Sequence, residues 1–510
     1  MYSSLEYKKL FSGSLFTKQF FALFCFIYFI LNYKYLFDYP TGLHFIRQTD
    51  SISFIYYYLH KSNFNFFDLG NLSLSFEQGR ASCEFPIIYY LCFIIFKIFG
   101  VHLEIIRWLS LIVTTISLYY LLVAAYAILK NKYLAIGCVL MVISSSVYRY
   151  YSVNFLPDSF ALGCVFIGFY QLVRFTKSSE KYSGALLFVF FTLASLLKVY
   201  YGIYLISSVL FILFFQKSVF KETIILAVIS FSTIILWYVF SIYYNNAHHS
   251  NYYLTSALPI WKMSDLEIHK TLNAVVNYWY SKYYLPTIFH VFFVFCLLFL
   301  IPIQKNKYKF ENGFDALLVF CFTGVIIYCL VFFKQFKDHD YYFLPILPFF
   351  MLLSLLALSK ISALSPNIMF LTGLILLLGI LSVLGFNYTS VNMDRRFSNS
   401  INEHSIVGYQ LAGISAFNDE RHIKTDSKFI VIGDKTLNGS LVFLNRFGWT
   451  YPDFNLDLGS VQSNLPLADY LLILEPSAHK IPDALKLKLL KCEKYSYNSN
   501  FIYDLKNYRK

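Results

Sequence analysis

The chain has 510 residues, 57% of them hydrophobic and only 14% charged, with 56 Phe and 44 Tyr. Ordinary soluble domains are about one-quarter charged, so this composition excludes aqueous globular folding and makes lipid the natural solvent. The net charge of +13 is spread through short segments between apolar runs instead of lying on one soluble face, which excludes a nucleic-acid surface and points to membrane topology.

In chain order, Lys8, Lys9 and Lys18 precede an apolar stretch over Phe20–Phe37. It is longer than the core of a signal peptide and lacks a small-residue cleavage site, so it reads as a first span. Apolar runs of membrane-crossing character follow at Leu103–Leu129, Tyr133–Tyr150, Ser159–Val173, Ala185–Lys198, Tyr201–Phe215 and Thr223–Tyr243. Four more lie at Pro286–Ile303, Ala316–Phe333, Tyr342–Leu358 and Ile368–Phe386, which makes about eleven spans. The piece Pro86–Phe99 is too short to cross comfortably and reads as an interfacial or re-entrant helix.

Taken alternately, the N-terminus and the loops Lys130–Lys132, Arg174–Lys181, Lys217–Lys221, Lys305–Lys309 and Lys360 fall on one face. They carry most of the lysines, so that face is expected to be cytoplasmic. The segment Asp38–Phe85, the loops Asn154–Asp158, Asn245–Tyr284 and Lys334–Tyr341, and everything after Asn387 then share the external face. Asn71, Asn387 and Asn438 each open an Asn-x-Ser/Thr triplet there.

Composition changes after Asn387, giving a membrane domain over 1–386 and an external soluble domain over 387–510. In that domain Phe429–Ile432 and Tyr470–Leu474 read as buried strands and Asn438–Phe447 as a helix start, the pattern of a small α/β fold. The sequence around Gly433-Asp434 lacks the further glycines of a dinucleotide fingerprint. Six of the nine cysteines lie inside apolar runs and no CxxC spacing occurs, so neither a zinc site nor a disulfide framework is implied.

Charge concentrates in the segment 38–85, at His44, Arg47, Asp50, Asp68, Glu77, Arg80 and Glu84. Arg47 and Asp50 are three residues apart and share a face if helical, as an ordinary surface ion pair or as part of a site. Glu84-Phe85-Pro86 opens the interfacial helix, and Asn154-Phe155-Leu156-Pro157-Asp158 is a helix start in which Asp158 could serve as cap or dipole partner. Asp338-His339-Asp340-Tyr341 has ligand-type side chains, but three adjacent residues cannot all face one metal on a regular helix, so no metal is assigned.

Set in order, four pieces resemble the GT-C glycosyltransferases. They are an acidic residue in the first external loop, Glu-x-Pro-x-x-x-Tyr at 84–90, Pro157-Asp158, and Tyr-x-x-Pro-x-x-Pro at 342–348. The chain is similar to the branch of the protein O-mannosyltransferases, the lipid A aminoarabinose transferases and the lipopolysaccharide-core membrane glycosyltransferases.

The resemblance implies an α-helical polytopic membrane protein of the bacterial inner membrane with its N-terminus cytoplasmic and its C-terminal domain periplasmic. It also implies transfer of a sugar from a polyprenyl-phosphate donor to an acceptor hydroxyl. Asp50 matches the family's acidic base, with Glu84 and Asp158 as further catalytic candidates. Phe85 stands where the family commonly has Lys, so the donor phosphate must be met by Arg47, Arg80, Lys198 or Lys337, with His339 and Tyr341 also on the substrate side. Ser51 replaces a second acid that often follows the first; its role passes to Asp158 or is missing.

The chemistry itself requires one carboxylate to take the acceptor proton and cations for the phosphate, which is a weak base and leaves without a general acid. A single displacement inverts the anomeric centre, and no cofactor is called for. A polymerase or ligase acting on lipid-linked glycans is an alternative, since fold analogy fixes neither donor nor acceptor. A secondary transporter is another, although the span centres are nearly free of ionisable residues.

Overall fold

The computed structural model describes residues 15–62, 64–178, 180–216, 219–253, 257–300, 313–364, 367–398, 403–475, 477 and 481–508. Lys8, Lys9 and the lysine loop Lys305–Lys309 lie outside the described residues. The chain divides into two compact units. One comprises Met1–Leu36, Arg107–Tyr238 and Ser256–Asp394; the other comprises Phe37–Ile106, Val239–Thr255 and Arg395–Lys510.

The first unit is helical. Among the described residues, six helices of the chain are long and apolar enough to cross a membrane: Glu104–Leu129, Asp158–Lys177, Phe220–Ala247, Phe314–Val331, Asp340–Leu364 and Ile368–Phe397. The most apolar of them, Ile368–Phe397, has only 22% of its apolar window buried, whereas Asp158–Lys177 has 83%. The former therefore offers a lipid-facing surface and the latter forms the centre of the bundle.

The other expected spans take different forms. Phe21–Leu36, Lys132–Ile143, Tyr182–Leu197 and Val199–Phe215 are shorter apolar helices, as is the expected interfacial piece, Ile87–Phe99. Pro286–Leu300 is one arm of a pair bent by 99° from Asp265–Tyr283.

Two boundaries differ from the sequence reading for identifiable reasons. The expected span Tyr133–Tyr150 is broken after Ile143 and restarts as Ser146–Tyr151. Ser144 turns its hydroxyl back to the Leu140 carbonyl, and the Ser145 hydroxyl caps the second helix by accepting from the Tyr148 N–H. The break leaves Arg149 deep in the unit, where its guanidinium donates to Asn32 Oδ1, the Leu31 carbonyl and Ser390 Oγ and lies over the Phe386 ring. Such saturation is what a charge away from water requires. The last span does not end at Phe386 but continues as helix to Phe397, the polar run from Asn387 onward being helical as well.

The second unit is built on a mixed five-stranded sheet. Its strands are β1 (Phe429–Ile432), β2 (Gly448–Tyr451), β3 (Tyr470–Ile473), β4 (Glu493–Tyr497) and β5 (Asn500–Asp504), in spatial order β2-β1-β3-β5-β4. β1 lies parallel to β2 and β3, while β5 runs antiparallel to β3 and to β4. The central strands read Phe-Ile-Val-Ile and Tyr-Leu-Leu-Ile without polar alternation, because both of their faces are covered.

The segment expected as the first external loop joins this sheet. The Leu74 N–H donates to the Gly448 carbonyl and the Gly448 N–H to the Leu72 carbonyl, so residues 72–74 cover the edge strand β2. Gly448 itself has no room for a side chain, since a Cβ there would stand 2.0 Å from the Phe429 carbonyl oxygen. Asn71 and Asn438, two of the three triplet asparagines, are fully buried, which removes them as surface acceptors in the folded protein.

Candidate active site

The helix Phe45–Lys61 starts from His44 in the left-handed conformation, φ 56°. Its period brings Arg47 and Asp50 to one face, as the spacing predicts. That face is not solvent: Asp50 is 1% exposed. Arg47 Nη1 stands 3.7 Å from Asp50 Oδ2 and Nη2 stands 3.5 Å from Glu84 Oε1, so the guanidinium bridges the two carboxylates. Tyr89, one turn into the helix Ile87–Phe99, donates its hydroxyl to Glu84 Oε1 at 2.6 Å and thereby fixes it. Phe85 carries no charge, and Arg47 is the cation beside Glu84.

The other oxygen of Asp50 is held from remote parts of the chain. Asn438 Nδ2 donates to Oδ1 at 2.9 Å, and the Tyr253 hydroxyl approaches the same atom at 3.5 Å. Oδ2 accepts no hydrogen bond among the described residues. Burial lifts the Asp50 pKa from its ordinary 3.8 to about 6, against the pull of the Arg47 guanidinium and the Asn438 amide, with the Glu84 charge adding to the rise. A buried carboxylate with one anchored oxygen and one that faces a guanidinium without a hydrogen bond, its pKa raised to about 6, is suited to accept a proton from a bound hydroxyl.

The second cluster belongs to the helical unit. Asp158 is the first residue of Asp158–Ser178, where the positive end of the helix dipole favours a carboxylate. Between the helices Lys181–Leu197 and Gly202–Phe215 the chain makes a single turn, Val199–Tyr201. That turn delivers Tyr200, whose hydroxyl donates to Asp158 Oδ1 at 2.6 Å, and the preceding Lys198, whose Nζ stands 3.3 Å from Oδ2. Lys198 Nζ also lies 6.0 Å from the centroid of the Tyr341 ring, within cation–π reach. The sequence candidates Asp158, Lys198 and Tyr341 are thus brought together.

Of the remaining candidates, Arg80 and Lys337 have other partners and His339 adjoins the second cluster through Tyr341. Arg80 faces Tyr57, Tyr244 and Asp68, a separate network within the second unit. Lys337 is 3.8 Å from Asp338 and substantially exposed. His339 stacks on Tyr341 at 5.3 Å between ring centroids. The neighbouring Asp340 accepts from the Tyr151 hydroxyl at 2.6 Å, which gives this carboxylate a phenol partner. Among the described residues no three His, Cys, Asp or Glu side chains gather as a metal site.

Sequence reasoning missed Asn438, Tyr253, Tyr89 and Tyr200 as partners of the acids. Only Tyr89 carried a local signal, being five residues from Glu84 at the start of the same helix.

Residues 84–243 match the family described as dolichyl-phosphate-mannose-protein mannosyltransferase. No match is found among curated protein sequences. Among solved structures, ArnT from Cupriavidus metallidurans bound to undecaprenyl phosphate is similar over 94% of this chain and 97% of its own, with a TM-score of 0.58 and 10% identity. The apo state of that protein is similar over 95% and 98%, with a TM-score of 0.59 and 10% identity. At such identities the likeness is one of fold, and it extends over nearly the whole chain. Residues 84–243 thus resemble a membrane mannosyltransferase family, and the fold of this integral membrane protein is similar to that of ArnT.

Proposed function

We propose that the chain transfers a sugar from a polyprenyl-phosphate carrier to an acceptor hydroxyl in one inverting displacement, with Asp50 as the base. The observation that carries this reading is the Asp50 carboxylate itself. It is buried and held through Oδ1 by Asn438, its Oδ2 accepts no hydrogen bond among the described residues, and it is lifted to a pKa of about 6.

The acceptor oxygen attacks the anomeric carbon as its proton passes to Asp50. The bond from that carbon to the carrier phosphate oxygen breaks, and the polyprenyl phosphate leaves with the electron pair. Near pH 7 the protonated Asp50 then returns its proton to water, because its pKa lies below that pH. Arg47 meets the growing negative charge on the leaving phosphate, a task for which a planar guanidinium is well shaped. Glu84, fixed by Tyr89, keeps Arg47 in register. The lipid carrier is supported by the likeness to a structure bound to undecaprenyl phosphate.

The reaction runs on the external face, with the N-terminus cytoplasmic; reporter fusions after Lys132 and after Ser390 then give opposite signals, and equal signals would refute that sidedness. The activity is tested by incubating purified protein in nanodiscs with a panel of radiolabelled polyprenyl-phosphate sugars. Transfer or hydrolysis of one sugar that is abolished in Asp50→Asn supports the reading, and full turnover in that variant removes it.

A further inference from the structure

We infer that Asn438 is a positioning residue of this transfer, holding one oxygen of Asp50 through its side-chain amide so that the other is presented to the acceptor. The inference rests on the reading of Asp50 as base.

The local fold singles Asn438 out. It stands at the N-cap of the helix Gly439–Leu444, where an Asn side chain ordinarily turns inward to accept from the first free N–H groups. Here it makes no such bond. The capping is done by residues just before it: Thr436 Oγ1 accepts from the Gly439 N–H at 2.7 Å and Asp434 Oδ2 from the Ser440 N–H at 2.8 Å. Asp434 Oδ1 in turn accepts from the N–H and the hydroxyl of Thr436. The turn at 434–436 thus releases Asn438 from the usual duty of its position.

The released amide is committed elsewhere. Its Nδ2 donates to Asp50 Oδ1 at 2.9 Å and to the Tyr253 hydroxyl at 3.1 Å. Three segments far apart in sequence therefore converge on one carboxylate oxygen. The side chain is wholly buried, and Asn438 Oδ1 has no hydrogen-bond partner among the described residues. A buried amide that gives up both its capping bond and a partner for its own oxygen is unfavourable on stability grounds alone. Function at the carboxylate accounts for that arrangement.

The groups facing Asp50 are Arg47 on its own helix, Glu84 ahead of the next helix, and the phenols of Tyr252 and Tyr253. Arg47 and the amide of Asn438 favour the ionised carboxylate, while Glu84 disfavours it. Removing the amide therefore shifts Asp50 toward its protonated form and frees its orientation.

The test uses the full chain in nanodiscs, with Asn438→Leu, which keeps size but has no donor, and Asn438→Asp, which keeps shape and replaces the donor by a second acid. In Asn438→Leu the acid limb of the kcat–pH profile is expected to move up by about one unit, so that kcat falls about tenfold at pH 5 and about twofold at pH 7, with donor KM unchanged. In Asn438→Asp the limb moves further in the same direction, and this variant carries the test if Asn438→Leu does not fold. A residue that only supports the domain would lower the melting temperature and leave the pH profile in place, which overturns the inference. Asp50→Asn is measured alongside. If it is inactive while both Asn438 variants keep the wild-type profile, the inference fails and the base assignment stands. If Asp50→Asn is itself active, the base assignment fails first.

Discussion

Asp50 and Asp158 are both buried carboxylates on helices, one in each unit, and their surroundings differ in kind. Asp158 has a phenol at 2.6 Å, a lysine at 3.3 Å and a helix N-terminus beneath it, and its Oδ2, like that of Asp50, accepts no hydrogen bond among the described residues. Asp50 has its guanidinium at 3.7 Å, an amide at 2.9 Å and a phenol at 3.5 Å, and burial prevails over them. Burial alone therefore does not mark a reactive acid. What distinguishes Asp50 is burial with incomplete compensation, which leaves a carboxylate ready to take a proton.

The comparison can be broken by exchanging each acid for its amide. The largest effect is expected in turnover: Asp50→Asn loses about 10²–10⁴ in kcat, because the amide cannot accept a proton. Donor binding survives that change. A loss of the same size in Asp158→Asn with normal stability would move the base to the helical unit.

Stability should respond in opposite senses. Asp158→Asn leaves the Lys198 ammonium beside a neutral group, and breaking a buried pair from one side costs about 3–5 kcal/mol. Asp50→Asn should instead stabilise. The folded pKa of about 6 lies above the unfolded value near 3.8, so ionisation of Asp50 weakens the fold as pH rises through that window. At pH 7 the penalty is fully present and amounts to about 3 kcal/mol, which the neutral amide removes. Melting temperatures of both variants at pH 4 and pH 7 check this, and a fall for Asp50→Asn at pH 7 would contradict the assigned environment.

A smaller effect sharpens the role of the cations. Arg47→Gln should raise the acid limb of the kcat–pH profile and raise donor KM, together costing about 1–3 kcal/mol of transition-state stabilisation. Arg80→Ala, in the separate network of Tyr57, Tyr244 and Asp68, should change either parameter by less than about 1 kcal/mol. Equal effects of the two changes would dissolve the distinction between the clusters. For the wild type, kcat should rise about tenfold per unit below pH 6 and level off above it.

Much of the Asp50 cluster was legible because its charged members are close in sequence. Helical spacing joins Arg47 to Asp50, and the order of motifs adds Glu84. The oxygen that Asn438 holds was not legible, since the two residues are 388 positions apart and Asn438 reads as an ordinary helix start. Tyr253 is 203 positions from Asp50 in a loop rich in aromatic residues, with nothing to single it out. The strands β1 and β3 were recoverable from their unbroken apolar runs. The break at Ser144-Ser145 was not, because serine is tolerated in membrane helices and its hydroxyl commits to a cap only when the surrounding chain leaves room.

The pairing of residues 72–74 with Gly448 also bears on synthesis. A ribosome adding about 5–20 residues per second needs roughly 20–80 s to travel from the Asp50 helix to the strand and asparagine that complete its surroundings. During that interval the nascent chain can insert its early helices while Asp50 lacks the Asn438 contact. Chains cut short by premature termination or proteolysis before Asn438 would reach the membrane with Asp50 lacking that contact.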